Sequence, residues 1–135
     1  MRFLIIDDFP GRYDEFCSLL DSKGHSWIIT TDSSAAENII VSYDSFFNLN
    51  FIDGILLDHD MPKRDGREWA KWIAEKVKSG GTEKVPVIIS SCTALQGVRE
   101  EMLTTLQEAG VEAIINPADH SGCELEWLSW FENCS

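Results

Sequence analysis

Short apolar runs alternate with amphipathic stretches along this chain, and each change of period marks a change of element. Residues 3–6, Phe-Leu-Ile-Ile, read as a strand. Residues 11–23 place Tyr13, Phe16, Cys17, Leu19 and Leu20 at helical spacing and stop at Gly24, where a helix C-cap would sit. Residues 26–30 form a second strand, after which Ser33 or Ser34 can cap a helix with Ala36, Ile39, Ile40 and Phe47 on its apolar face. Residues 54–57 are an uninterrupted apolar strand of the kind buried on both faces. Residues 67–78 follow with Trp69, Ala70, Trp72, Ile73 and Val77 in one stripe, then a strand over 85–89 entered through Pro86. A helix over 98–109 stops at Gly110, a short strand over 113–115 ends at Pro117, and a helix over 121–131 carries Leu125, Trp127, Leu128, Trp130 and Phe131. Five strand-helix units with right-handed crossovers predict an α/β fold: a doubly wound (βα)5 three-layer sandwich on a five-stranded parallel sheet ordered 2-1-3-4-5, the flavodoxin-like arrangement.

Two of these strands end abruptly in acid. The first stops at Asp7-Asp8, before Pro10 and Gly11, and the third stops at Asp58, within Asp58-His59-Asp60-Met61-Pro62. In the predicted order the two strands are neighbours, so their carboxylates meet at the topological switch point where ligands bind in such sheets. Two unit charges about 4 Å apart repel by about 4 kcal/mol at an effective dielectric of about 20, so the cluster must shift its pKa values or recruit a cation. An all-oxygen set is hard, which favours Mg2+, or Mn2+ as its chemical relative, over Zn2+. The plainer alternative is that an Asp at a strand end only caps the next helix or starts a turn.

The chain's 135 residues, 44% hydrophobic, are enough for one domain spanning 1–135. No apolar run approaches the ~20 residues that span a bilayer, and no signal-peptide layout opens the chain, so a cytoplasmic location is expected. With 23 acidic against 11 basic residues, the net charge of −12 opposes nucleic acid and anionic membranes as partners. The four cysteines, Cys17, Cys92, Cys123 and Cys134, form no Cys-x-x-Cys pair and read as reduced thiols.

The motif Leu-Leu-Asp-x-x-Met-Pro-x-x-Asp-Gly at 56–66, with the acidic pair at 7–8, resembles the receiver domain of two-component response regulators over essentially the whole chain. The resemblance implies that Asp58 accepts a phosphoryl group, that Asp7, Asp8 and Asp58 hold Mg2+ with the backbone carbonyl of Asp60, and that Ser91 hydrogen-bonds the acyl phosphate. It implies as partners a histidine kinase or phosphotransfer protein and a downstream protein, with a homodimer as a further candidate. Two positions depart from the family. Asn116 stands where receivers carry a lysine, which removes a charge-assisted contact to phosphate, and Ala113 stands where many carry a switch aromatic.

Asp58-His59-Asp60 also resembles a receiver-like family proposed to process cyclic phosphates, as does Asp7-Asp8-Phe9-Pro10. The stretch Ser90-Ser91-Cys92-Thr93 through Gly97-Val98-Arg99 and Met102 agrees in part, with Ser90 in place of that family's histidine. That resemblance implies a metal-dependent phosphodiesterase with His59 as proton donor and Ser91 or Thr93 as positioner. A third reading is a degenerate receiver acting as an interaction module through its last helices, where Trp127 and Trp130 are expected to form a surface patch. Trp69 and Trp72 read as core, and His25 and His120 have no companions at ligand spacing.

Overall fold

A computed structural model describes residues 1–31, 52–58, 65–80, 84–90, 97–116 and 124–134. Its strands are β1 (Arg2–Ile6), β2 (Ser26–Thr30), β3 (Gly54–Leu57), β4 (Val87–Ile89) and β5 (Ala113–Ile115). They pair in parallel throughout, in the order β2-β1-β3-β4-β5. The helices among the described residues are α1 (Asp14–Ser22), α2 (Gly66–Lys78), α3 (Val98–Glu108) and α4 (Glu124–Cys134). The predicted strand order and flavodoxin-like α/β architecture are therefore observed. The helix expected after Ser33 or Ser34 lies outside the described residues.

Period-two alternation divides the sheet's side chains between two apolar layers. Leu4, Ile6, Ile55, Leu57, Val87 and Ile89 face α2 and α3, where they meet Trp69, Ile73, Met102 and Leu106. Phe3, Ile5, Leu56 and Ile88 face α1 and α4, against Phe16, Leu20, Leu128 and Phe131. Gly54 belongs to the second packing problem. A Cβ there would come within 2.6 Å of the Phe131 ring and 2.9 Å of Phe3, so only glycine lets this strand approach the aromatic layer.

Local signals terminate the helices as the chain pattern predicts. α1 ends with His25 N–H donating to Leu20 O at 2.9 Å and Gly24 N–H donating to Asp21 O at 3.1 Å, with Gly24 at φ +77°. This paired arrangement satisfies two orphan carbonyls and requires the left-handed backbone that glycine adopts without strain. Asp65 starts α2 by accepting from the N–H groups of Arg67 and Glu68 at 3.0 and 3.1 Å.

The structure moves several boundaries, four of them with a clear local cause or extent, and corrects one surface. The helix expected over 11–23 opens as a 3-10 turn, Pro10–Tyr13, and becomes α-helical at Asp14. Proline preorganises a helix entry but contributes no N–H to its ladder. β4 begins at Val87 rather than residue 85, because Pro86 has no donor; its carbonyl still accepts from Ile55 N–H at 3.0 Å. α3 ends at Glu108, one residue short of the expected 109, where the glycine-terminated cap takes over. The last helix is described from Glu124 and continues past the expected 131 to Cys134. Trp127, expected at the surface, is only 8% exposed, because Trp127, Leu128 and Phe131 share one inward face of α4. No described helix is long and apolar enough to cross a membrane.

Candidate functional site

The C-terminal edge of the sheet is where polarity enters the core. Among the described residues, the buried Asp, Asn, Ser and Thr side chains are Asp7, Thr30, Asp58, Ser90 and Asn116. Each is the last residue of a strand or the next one along. The parallel ladder holds that row in place. Asp7 N–H donates to Thr30 O, Asp58 N–H to Ile6 O, Ser90 N–H to Leu57 O and Asn116 N–H to Ile89 O, at 2.9 to 3.1 Å. The side chains are therefore positioned by backbone pairing, not by a mobile loop.

Asp7, Asp8 and Asp58 each bring a carboxylate oxygen within 4.8 Å of the others. Asp7 and Asp58 are buried, at 0% and 2% exposure, while Asp8 is exposed at the mouth. Asp7 is the best braced. Its Oδ1 accepts from Phe9 N–H at 2.8 Å, and its Oδ2 accepts from the Tyr13 hydroxyl at 2.7 Å. Arg12 brings a guanidinium nitrogen to 3.5 Å from the same Oδ2. Burial raises the Asp7 pKa, against the opposing pull of Tyr13, the Phe9 N–H, Arg12 and a hydrogen bond with Asp58. The site thus holds more negative charge than its protein partners comfortably solvate.

Tyr13 links the two sides of the crevice. Its hydroxyl lies 2.6 Å from Ser90 Oγ, and since its proton goes to Asp7, Ser90 is the donor in that second bond. Burial, and then the charge of Asp7, hold the Tyr13 pKa far above its ordinary range, so it remains a donor. The ring also packs against Trp127, centroids 6.2 Å apart, which ties the crevice to α4. Sequence reasoning placed Tyr13 only on an apolar helix face and did not single out Arg12. The available signal was the tyrosine itself, whose buried hydroxyl needs a partner.

The donor set suits a hard divalent cation. It is all oxygen, converges from adjacent strands, and includes a buried carboxylate whose charge is disfavoured until a cation offsets it. Asn116, at the position where a lysine was expected from the receiver resemblance, is buried, and its Oδ1 has no hydrogen-bond partner. Ala113 is packed in the α2/α3 layer and offers no ring. His59, Asp60, Ser91 and Thr93 lie outside the described residues. Cys17 is buried and Cys134 half-buried, both as free thiols.

A parallel sheet of this order with acids crowded at its switch point defines the class: the fold is that of response-regulator receiver domains. A two-component response regulator from Clostridium difficile superposes with a TM-score of 0.67 at 21% identity, over 99% of this chain and 93% of that one. A receiver domain protein (CheY-like) from Methanospirillum hungatei gives 0.65 at 20% identity, over 98% and 91%. The response regulator TrrA of Thermotoga maritima, in complex with Mg2+ and BeF, gives 0.66 at 17% identity, over 96% and 97%. No family model matches the chain, and no curated protein matches it.

Proposed function

We propose that this chain is a receiver-type phosphoryl acceptor. Asp58 takes the group from a phosphohistidine of a histidine kinase or phosphotransfer protein, and the product is read by a downstream protein partner. The observation that carries this reading is the convergence of Asp7, Asp8 and Asp58 within 4.8 Å at the ends of β1 and β3. The three carboxylates are the proposed ligands of Mg2+, or Mn2+, with the Asp60 carbonyl as the further ligand that the resemblance implies. A bound divalent cation supplies charge neutralisation at the transferring oxygens.

The remaining chemistry belongs to the chain. An Asp58 carboxylate oxygen forms a bond to phosphorus while the phosphorus–nitrogen bond of the donor breaks; the electron pair stays on the imidazole nitrogen, which takes up a proton. A carboxylate is a weak nucleophile toward phosphorus, so its contribution is alignment, and the Asp58 N–H bond to Ile6 O holds its backbone on the sheet. Tyr13 and the Phe9 N–H fix Asp7, while exposed Asp8 stands at the entrance. Ser91 is assigned a hydrogen bond to the acyl phosphate.

Asn116 favours a second reading, metal-dependent processing of cyclic phosphates, since it brings no cation to a stable phosphoryl adduct. There His59 is the proton donor and Ser91 the positioner. Incubation with acetyl phosphate and Mg2+, followed by intact mass measurement, distinguishes the two. The first reading expects a phosphoryl adduct that Asp58→Asn abolishes. The second expects no adduct and metal-dependent cleavage of cyclic nucleotide phosphates. Absence of both, and of metal binding, leaves a degenerate receiver that acts as an interaction module.

A further inference from the structure

We propose that the groove between α1 and β2 is a docking surface for a protein segment that carries two basic side chains. The groove has a volume of about 410 Å3 and is lined by Asp14, Cys17, Ser18, Asp21, Trp27 and Ile29. It lies on the flank of α1 beside the outermost strand of the sheet, and it shares no residue with the acidic crevice. The inference therefore stands apart from the phosphoryl-acceptor reading and adds a partner surface to it.

The groove combines an apolar floor with charged walls. Cys17 is buried and Ile29 half-buried, while Trp27 keeps 37% exposure, one of three large apolar side chains exposed among the described residues. Its indole is held in place, because Nε1 donates to Asp21 Oδ1 at 2.9 Å. A fixed, partly exposed indole beside a carboxylate offers an aromatic face to a cation and an apolar surface to the stem that carries it. Asp14 and Asp21 are both exposed, and the charges of both reach the Cys17 thiol, which sets the two carboxylates over one floor.

Charge selects the occupant. α1 contains Asp14, Glu15 and Asp21 but no lysine or arginine, and β2 is uncharged. Among the described residues the ion pairs engage Asp7, Asp65 and Glu101, and neither Asp14 nor Asp21. The spacing of these two acids then distinguishes a segment from a small ion. They lie seven residues apart on α1, a rise of about 10 Å, so one metal ion or one guanidinium cannot bind both. Two basic side chains about 10 Å apart, as on one face of a partner helix, match both acids, with an apolar side chain between them against Trp27 and Ile29. The net charge of −12 draws such a segment from a distance, and the groove gives it a position.

The test uses the full chain and an alanine-based helical peptide whose two arginines have the spacing of Asp14 and Asp21, with a leucine between them on the same face. Binding is measured by calorimetry and by tryptophan fluorescence, with circular dichroism to establish that each variant is folded. Asp14→Asn and Asp21→Asn are each expected to weaken binding about 2- to 5-fold, the range of a lost exposed ion pair. Asp21→Asn keeps an acceptor for the Trp27 indole, so it removes charge alone. Trp27→Ala is expected to weaken binding by about 2- to 5-fold, and the fluorescence change should vanish with it. Glu15→Gln, at an exposed acid of α1 outside the groove, should leave the affinity unchanged. Equal losses in Glu15→Gln, a fluorescence change that persists in Trp27→Ala, or equally tight binding of a same-composition peptide with its arginines on opposite faces would each overturn the proposal. Free L-arginine binding as tightly as the peptide would overturn it too, by making the groove a small-cation site, as would a wild type that binds no peptide at low salt.

Discussion

Ile6 and Asp7 are consecutive, both 0% exposed, and they divide the molecule into two regions. Up to Ile6, Leu57 and Ile89 the strands bury only apolar side chains against the two helix layers. One residue further along each of these strands, the same ladder carries Asp7, Asp58 and Ser90. Backbone pairing is continuous across the boundary while the side-chain energetics reverse. The strand bodies gain about 25 cal/mol for each Å2 of apolar surface they remove from water, whereas the rim desolvates carboxylates and crowds like charges. Stability made in one region offsets a cost carried in the other, and that cost is what the proposed cation would relieve.

Removing a charge from the rim should therefore differ in sign from removing apolar bulk or a hydrogen-bond partner. Leu56→Ala, in the fully buried part of β3, is expected to cost about 2–5 kcal/mol in urea unfolding. Tyr13→Phe should cost less, about 1–3 kcal/mol, by leaving Asp7 and Ser90 short of a buried partner. Asp58→Asn should reverse the sign, with a gain of about 1–2 kcal/mol in metal-free buffer, because one charge leaves a crowded set. On the proposed metal site, Mg2+ should stabilise the wild type and not this variant, read as the shift in unfolding midpoint on adding the ion. A destabilised Asp58→Asn protein would mean that the rim is not under charge strain, and the contrast between the two regions would collapse.

The smallest effect belongs to a titrating group inside the apolar region. Burial, with the nearby charges of Asp21 and Asp14, pushes the Cys17 thiol up from its ordinary range to about 11. The folded state therefore favours the protonated thiol. This contribution to stability is complete below the unfolded pKa and is lost as pH rises through the folded one. Relative to Cys17→Ala, wild type should lose about 1 kcal/mol by about pH 10, measured by denaturant titration at each pH. A difference that does not change between pH 8 and pH 10 would refute the assignment.

Much of the fold was legible because the local code is short-ranged. Apolar runs of strand length, Gly24 and Gly110 at helix ends, and acids at the ends of the first and third strands depend on period, backbone freedom and charge, which neighbouring residues express together. The crevice acids were legible for a further reason: right-handed crossovers restrict the strand order, and that order makes β1 and β3 neighbours. Trp127 was misplaced because an i, i+3 tryptophan pair does not reveal which side of α4 meets α1. Tyr13 was half-read, since its ring obeys the helix pattern while its hydroxyl answers to Ser90, 77 residues away.

The sequence by itself determined the periodicity, the parallel α/β class and the acids that end two strands, all consequences of side-chain chemistry acting within a few residues. Tertiary structure alone decided which polar groups complete the rim. It bound the Tyr13 hydroxyl to Asp7 and Ser90, brought Arg12 onto Asp7, and left Asn116 buried without a partner for its Oδ1. Those contacts depend on where separate elements come to rest on one sheet, and no local pattern encodes a distance between residues that meet only after the chain has closed its core.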